Sequence, residues 1–221
     1  VRISLRLVIV LLRAFLRSRR AAADVSRIPM RVGPGDLDLN GHMNNGTYLT
    51  LQDLGRIDYL VRTGIFERTR ARTWNAVVVA QTITYRASLH LGERFLVETR
   101  YLGYDDYGVY MEQRFTVDGQ LRSTSYVRAR FVGPDGPIGA AELVEVLPEM
   151  SRLPDRVPAW VREWAEHVRL PSRRSDAPSV WERFMDGGAA GAGGTAGAGG
   201  DAGLIADPGD APERRARAGN E

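Results

Sequence analysis

Cysteine is absent from all 221 residues. That excludes a disulfide framework, a thiolate nucleophile and any cysteine-based metal site, and it fits a reducing compartment. Lysine is missing as well: all thirty basic residues are arginine. With the richness in Ala, Gly and Arg, this reads as a codon-composition effect and not as chemistry. Long apolar runs are lacking too. The longest in the amino-terminal segment is Leu7 to Leu12, far short of the roughly 20 residues a bilayer-spanning helix needs. Histidine is scarce, three in all, so one inside a polar cluster is worth weighing.

What remains is ordinary for a globular protein: 43% hydrophobic and 26% charged residues, enough to bury a sizeable core. The net charge of +3 is uneven, since residues 1–20 hold six Arg and no acid while the rest is net negative. The basic balance therefore gives no reason to expect a nucleic-acid partner. On a helical wheel Arg2, Arg6, Arg13 and Arg17 fall within about 60° of one another. Residues 1–22 are expected to form an amphipathic helix on a membrane surface, its arginines toward anionic headgroups. Packing on its own domain or on a dimer partner is the bland alternative, and a signal-peptide remnant is another. The expected location is cytoplasmic, peripheral at a membrane.

Beyond this segment the pattern changes. Arg27 to Val32 is a short candidate strand. Asn44 or Asn45 can cap a helix running from about Gly46 to Thr63, with Leu49, Leu54, Ile57, Leu60 and Val61 as its apolar face and Gly64 as its stop. Strands follow over Ala76–Arg86, from 94 to about Tyr104, over 109–117 with strict alternation, and over Gln120–Val132. Asp118-Gly119 is the strongest two-residue hairpin signal. A last short strand is expected over Leu143–Leu147. One helix followed by hairpin-linked strands predicts an α+β domain with a single antiparallel sheet wrapped around a central helix. An amphipathic helix carrying Trp160, Trp164 and Val168 is expected over Ala159–Arg169, and a second around Val180–Met185. From Asp186 onward Gly is so frequent that burial cannot offset ordering entropy, so a disordered tail is expected. The divisions are 1–22, a domain over 26–148, a helical extension over 149–185 and a tail over 186–221.

Chemistry concentrates in Asp36-Leu-Asp38-Leu-Asn40-Gly-His42-Met-Asn44-Asn45-Gly-Thr-Tyr48-Leu49. Each polar residue alone is better explained as a turn former, a cap or a structural histidine. Together, abutting a helix amino terminus, they suit a site. Unpaired amides and partial positive charge there can hold a carbonyl oxygen as it becomes an oxyanion. A neighbouring carboxylate can activate water or attack directly. That combination is acyl-transfer chemistry. No metal or other cofactor is expected, because one loop histidine and two Asp lack a second cluster.

This run resembles the signature of hotdog-fold thioesterases of the 4-hydroxybenzoyl-CoA thioesterase type. It is also similar to the Asp-x-Asn-x-His array of plant acyl-ACP thioesterases. The chain resembles most the thioesterase superfamily member 6-like proteins, which share the loop and a later segment like Gly103-Tyr-Asp105-Asp106-Tyr-Gly-Val-Tyr110-Met-Glu112-Gln-Arg114-Phe115. The resemblance covers roughly residues 27–147. It implies a hotdog fold and hydrolysis of acyl-CoA or acyl-ACP thioesters, with Asp38 as catalytic carboxylate and Asn40 and His42 as its polar partners. It also implies that the Asn45 amide contacts the thioester carbonyl, with Asn44 and Tyr48 lining the substrate site. The plant enzymes' carboxylate after Tyr-Arg has no counterpart in Tyr85-Arg86-Ala87-Ser88, so Asp53 or Asp58 of the helix would be its substitute. Asp58 and Arg62 read instead as a surface pair. Arg86, Arg128 and Arg130 are candidates for coenzyme A phosphates. A homodimer is expected, since a lone unit leaves a sheet edge exposed. The competing reading is an acyl-CoA-binding, membrane-associated scaffold without turnover. An enoyl-thioester hydratase fits less well, its Asp-x-Asn-Pro-x-His array being one residue longer.

Overall fold

The alternating runs close into one antiparallel sheet whose concave side holds a long helix. The computed structural model describes residues 2–171, and residues 1–170 group as one unit. In chain order the elements are α1 (Arg2–Leu16), β1 (Ser26–Arg31), α2 (Asn45–Arg62), α3 (Ile65–Arg70) and β2 (Asn75–Tyr85). Then come β3 (Arg94–Asp105), β4 (Gly108–Val117), β5 (Gln120–Gly133), β6 (Gly136–Pro137), α4 (Ala140–Val146), α5 (Glu149–Arg152) and α6 (Ala159–His167). This is the α+β hotdog arrangement. The expected helix around Val180–Met185 and the tail over 186–221 lie outside the described residues.

The strand order is β1-β3-β4-β5-β2, with β6 beside β5. Two hairpins are as expected. Asp118 and Gly119 both take positive φ, 48° and 79°, as the primed turn between β4 and β5 requires. The link from β2 to β3 is not a hairpin: β2 pairs with β5, from Asn75↔Val132 to Tyr85↔Ser123. That leaves β2 as an edge strand. Its Val77, Val78 and Val79 are 45%, 39% and 50% exposed.

Helix α2 begins where Asn44 Oδ1 accepts the Gly46 amide and ends before Gly64 at φ 74°. Its deepest apolar side chains are Tyr48, Leu51, Leu54, Tyr59 and Val61, all 2% exposed or less. Each aliphatic burial of this kind contributes roughly 1.5–3 kcal/mol. Gly55 lets the helix touch the sheet, since a Cβ there would lie 2.7 Å from Thr99 Oγ1 and 3.0 Å from Val97. The apolar face expected through Leu49, Ile57 and Leu60 is less buried, Leu49 being 40% exposed.

Two expectations are corrected, and a third, the helix at Ala159, forms as expected with a different buried face. Residues 143–147 are helical, within α4 and its cap, because Leu143, Val146 and Leu147 recur at helical spacing and all three bury. Asp58 and Arg62 are not a surface pair: they are 1% and 4% exposed, 3.8 Å apart, and Asp58 also accepts from Ser26 Oγ. A carboxylate so enclosed is structural, which removes Asp58 as a catalytic substitute. Helix α6 buries Val161 and Ala165, whereas Trp160 and Val168 are 51% and 44% exposed. Trp160 packs edge-on against Tyr126 at the surface.

Helix α1 packs along α2 through Val10 and Ala14, 5% and 3% exposed. The following linker is tied to the end of α2: Arg62 donates to Ser18 O, and Arg19 Nη1 donates to Val61 O at 2.8 Å. The expected arginine stripe is therefore split, because Arg6 turns inward to Asp36.

Candidate active site

The loop between β1 and α2 is built on backbone bonds and one buried carboxylate. Pro34–Asp36 forms a single 3-10 turn. Asp36, 7% exposed, accepts from the Gly33 amide at 2.7 Å, and its own carbonyl accepts from Asn44 N at 2.8 Å. Leu37 and Met43 then bridge, and Asp38 N donates to His42 O at 2.9 Å. Gly41, at φ 80°, closes the tight turn in a conformation glycine adopts without strain.

This ladder presents the expected residues on one turn. Asp38 Oδ1 accepts the Asn40 amide at 2.9 Å, and Oδ2 stands 3.3 Å from His42 Nδ1. Both side chains reach water, at 24% and 34% exposure for Asp38 and His42. Asn40 contributes its backbone to this turn while its side chain points outward. Asn44 is the helix cap. In the first turn of α2, Asn44 Oδ1 takes the Gly46 amide and Asn44 O the Thr47 amide. Among the described residues, the Asn45 amide takes part in none of these bonds. Tyr48 lies beneath the loop, 2% exposed between Tyr85 and Phe115. Burial, more than anything, pushes its phenol up to about 12, so it stays neutral.

Sequence reasoning missed two neighbours. His90 bridges to His42 through the backbone, and their rings stand 6.4 Å apart. Two of the chain's three histidines thus meet here, and their scarcity was the available signal. Glu93 accepts from the His90 amide and from Arg122, and its charge acts on Tyr48. A carboxylate therefore stands beside this loop, five residues beyond Ser88. Arg128 is not available to a phosphate: it is 3% exposed and committed to Asp105 and Glu166.

A cavity of about 370 Å³ runs beside α2, lined by Leu7, Leu54, Ile57, Val78, Met111 and Phe131 among others. Its walls are mostly apolar, and its volume lies in the range of small-molecule sites. Thr50, also on its wall, bonds back to Gly46 O, so the cavity starts about 7.5 Å along the axis from Asn45. Asp53 lines it too, paired with Arg56.

Known proteins with this pattern are informative. A profile of the thioesterase-like superfamily matches residues 32–165. Protein THEM6 of Drosophila melanogaster is 27% identical over 165 residues, which span 73% of this chain and 82% of that protein. Protein THEM6 of Danio rerio is 45% identical over 80 residues, 36% of this chain and 40% of its own length. Among solved structures, YbaW of Escherichia coli, described as a probable thioesterase, superposes with a TM-score of 0.53. It is 22% identical and is matched over 97% of its length by 56% of this chain. With the profile covering more than half of its residues, the chain belongs to the thioesterase-like superfamily.

Proposed function

We propose that this thioesterase-like protein hydrolyses acyl thioesters carried on coenzyme A or acyl carrier protein. The observation that carries this reading is the unspent Asn45 amide at the amino end of α2, on the same loop as the water-accessible Asp38 carboxylate. The amide donates to the thioester carbonyl oxygen, where the helix end favours developing negative charge. Asp38 accepts a proton from water as its oxygen bonds the acyl carbon. The C–S bond then breaks, and the thiolate leaves and takes up the proton that Asp38 releases, giving the free thiol and the ionised catalyst. His42 and Asn40 hold the carboxylate and water in line. Asn44 fixes the helix end, and Tyr48 is the neutral floor of the site. The acyl chain lies in the apolar cavity beside Thr50.

The test is thiol release across a panel of acyl-CoAs of increasing chain length, aromatic acyl groups included. Turnover in wild type and its loss in Asp38→Asn is the expected outcome, and equal rates would remove Asp38 from the chemistry. A second reading is binding without turnover, favoured by the absence of an acid directly after Tyr85-Arg86. Tight acyl-CoA binding with no thiol released would select it.

Two partners belong to the same proposal. A second copy pairs along the free edge of β2 and covers Val77 and Val79, because an exposed apolar edge is a template for strand pairing. Val79→Lys is expected to shift the mass in solution toward the monomer. The outward face of α1, with Leu5, Val8, Leu12, Phe15 and Leu16 each at least 50% exposed, rests on an anionic membrane surface beside the exposed Arg13 and Arg17. Among the described residues no helix is long and apolar enough to cross a membrane. Replacing Leu12 and Phe15 by Asp is expected to abolish sedimentation with anionic vesicles, and unchanged sedimentation would refute the membrane contact.

A further inference from the structure

We infer that α1 is part of the active site: Arg6 positions the catalytic loop and Leu7 bounds the acyl cavity. The inference rests on the acyl-thioester reading above and extends it to residues outside the matched span of 32–165.

The geometry is a clamp. Arg6 Nη1 and Nη2 donate to Asp36 Oδ1 and Oδ2 at 2.8 and 2.7 Å, a two-pronged pairing. Nη2 also lies 3.4 Å from Arg31 O at the end of β1. Asp36 is the carboxylate that organises the loop from within. Its Oδ2 takes the Gly33 amide, and its carbonyl takes the Asn44 amide and Thr47 Oγ1. Asn44 in turn caps α2 and sets the direction of the Asn45 amide. A chain of direct contacts therefore runs from Arg6 through Asp36 and Asn44 to the group proposed to hold the thioester carbonyl. Asp38 is two residues from Asp36 on the same loop, at the start of the next turn. A guanidinium that fixes both oxygens of Asp36 restricts the loop in a way a single charge would not.

The next residue of α1 acts on the substrate's other end. Leu7 is on the cavity wall with Thr50, Leu54 and Ile57, and α1 is held there by Val10 and Ala14 packing on the domain. One helix thus supplies the loop's clamp and a wall of the acyl cavity at consecutive positions. Arg6 touches no reacting atom in this account and is a positioning residue. Leu7 is a specificity residue.

The experiment compares the wild type with Arg6→Gln, Arg6→Lys, Leu7→Ala and Leu7→Trp. Arg19→Gln serves as control, because it loosens the contacts to Glu67 and to Val61 O at the far end of α2 while leaving the loop alone. Thiol release is measured across acyl chain lengths, and amide hydrogen exchange is followed in the peptide spanning 33–47. Arg6→Gln is expected to lower kcat about tenfold with little change in KM, to raise exchange in that peptide, and to be partly rescued by Arg6→Lys. Leu7→Ala and Leu7→Trp are expected to move the preferred chain length in opposite directions, longer and shorter. Exchange and kcat in Arg6→Gln equal to those of Arg19→Gln would overturn the clamp, and an unmoved length profile would overturn the wall. A wild type that releases no thiol would sink the thioesterase reading instead. The exchange comparison would then still decide whether Arg6 holds the loop, and bound-chain preference, read by acyl-CoA binding, would decide Leu7.

Discussion

Two polar segments of this protein, Asp36–Tyr48 and Gly103–Glu112, carry its family resemblance in the sequence, yet the structure uses them in opposite ways. In the first, Asp38, no more exposed than Asp105, holds among the described residues only the Asn40 amide and a 3.3 Å approach from His42. In the second, the carboxylate is saturated. Asp105 accepts from the Tyr107 and Gly108 amides, from Tyr110 Oη at 2.7 Å and from Arg128 at 3.1 Å. Arg128 lies between the Tyr107 and Tyr110 rings and reaches Glu166 and Ala165 O of α6. The later motif is thus a latch that seats α6 on the outer face of the sheet, over Leu102 and Tyr110. A polar cluster with bonding capacity to spare invites chemistry. One whose capacity is consumed holds structure.

Removing each cluster's central group separates these roles. Asp38→Asn keeps the Asn40 contact and is expected to lower kcat by about 10²–10⁴-fold with an unchanged melting temperature. A large loss of stability in that variant would erase the contrast. Arg128→Met removes the buried cation that Asp105 and Glu166 share, leaving Asp105 with Arg162 at 3.9 Å and Glu166 with Arg169 at 3.4 Å. It is expected to destabilise by about 2–3 kcal/mol, less than a wholly buried pair because the carboxylates keep some water. Denaturant titration checks this, and thiol release should stay near wild type. Tyr110→Phe deletes one hydrogen bond to Asp105 and is expected to cost about 1 kcal/mol in the same titration.

Acid sharpens the comparison further. Burial alone would raise Asp105, but hydrogen bonds from Tyr110, the Tyr107 amide and Arg128 outweigh it and hold the carboxyl below the usual carboxylate range. A carboxyl lowered by folding adds stability that is fully present above its unfolded value, about 3.9, and is lost as pH falls through the lower folded value. Seating of α6 is therefore expected to weaken only below about pH 4, seen as rising fluorescence change from Trp160 and Trp164. The Arg128→Met variant should show a smaller acid step. An equal step would place the titration elsewhere.

How far the sequence carried can be read from the same pieces. The cap at Asn44, the stop at Gly64 and the turn at Asp118-Gly119 are local signals, and each appears at its place. The loop's ordering of Asp38, Asn40 and His42 was legible because the residues are close in the chain. Long-range partners were not. Arg6 meets Asp36 across thirty positions and His42 meets His90 across forty-eight, and no periodicity encodes either. The pairing of β2 with β5 depends on the sheet wrapping the helix, so local hairpin logic misassigns it. Asp58–Arg62 carried the spacing of a surface pair but sits where β1 and the linker after α1 cover the helix, so tertiary context overrides the local pattern.

The central claim is that a thioester carbonyl lies against the amino end of α2. Infrared difference spectroscopy of a ¹³C=O-labelled acyl-CoA bound to Asp38→Asn protein tests it directly. The account predicts a carbonyl stretch moved to lower frequency than in water, because the Asn45 amide and the helix end polarise the bond. A bound ligand whose carbonyl absorbs at its free-solution frequency would contradict it.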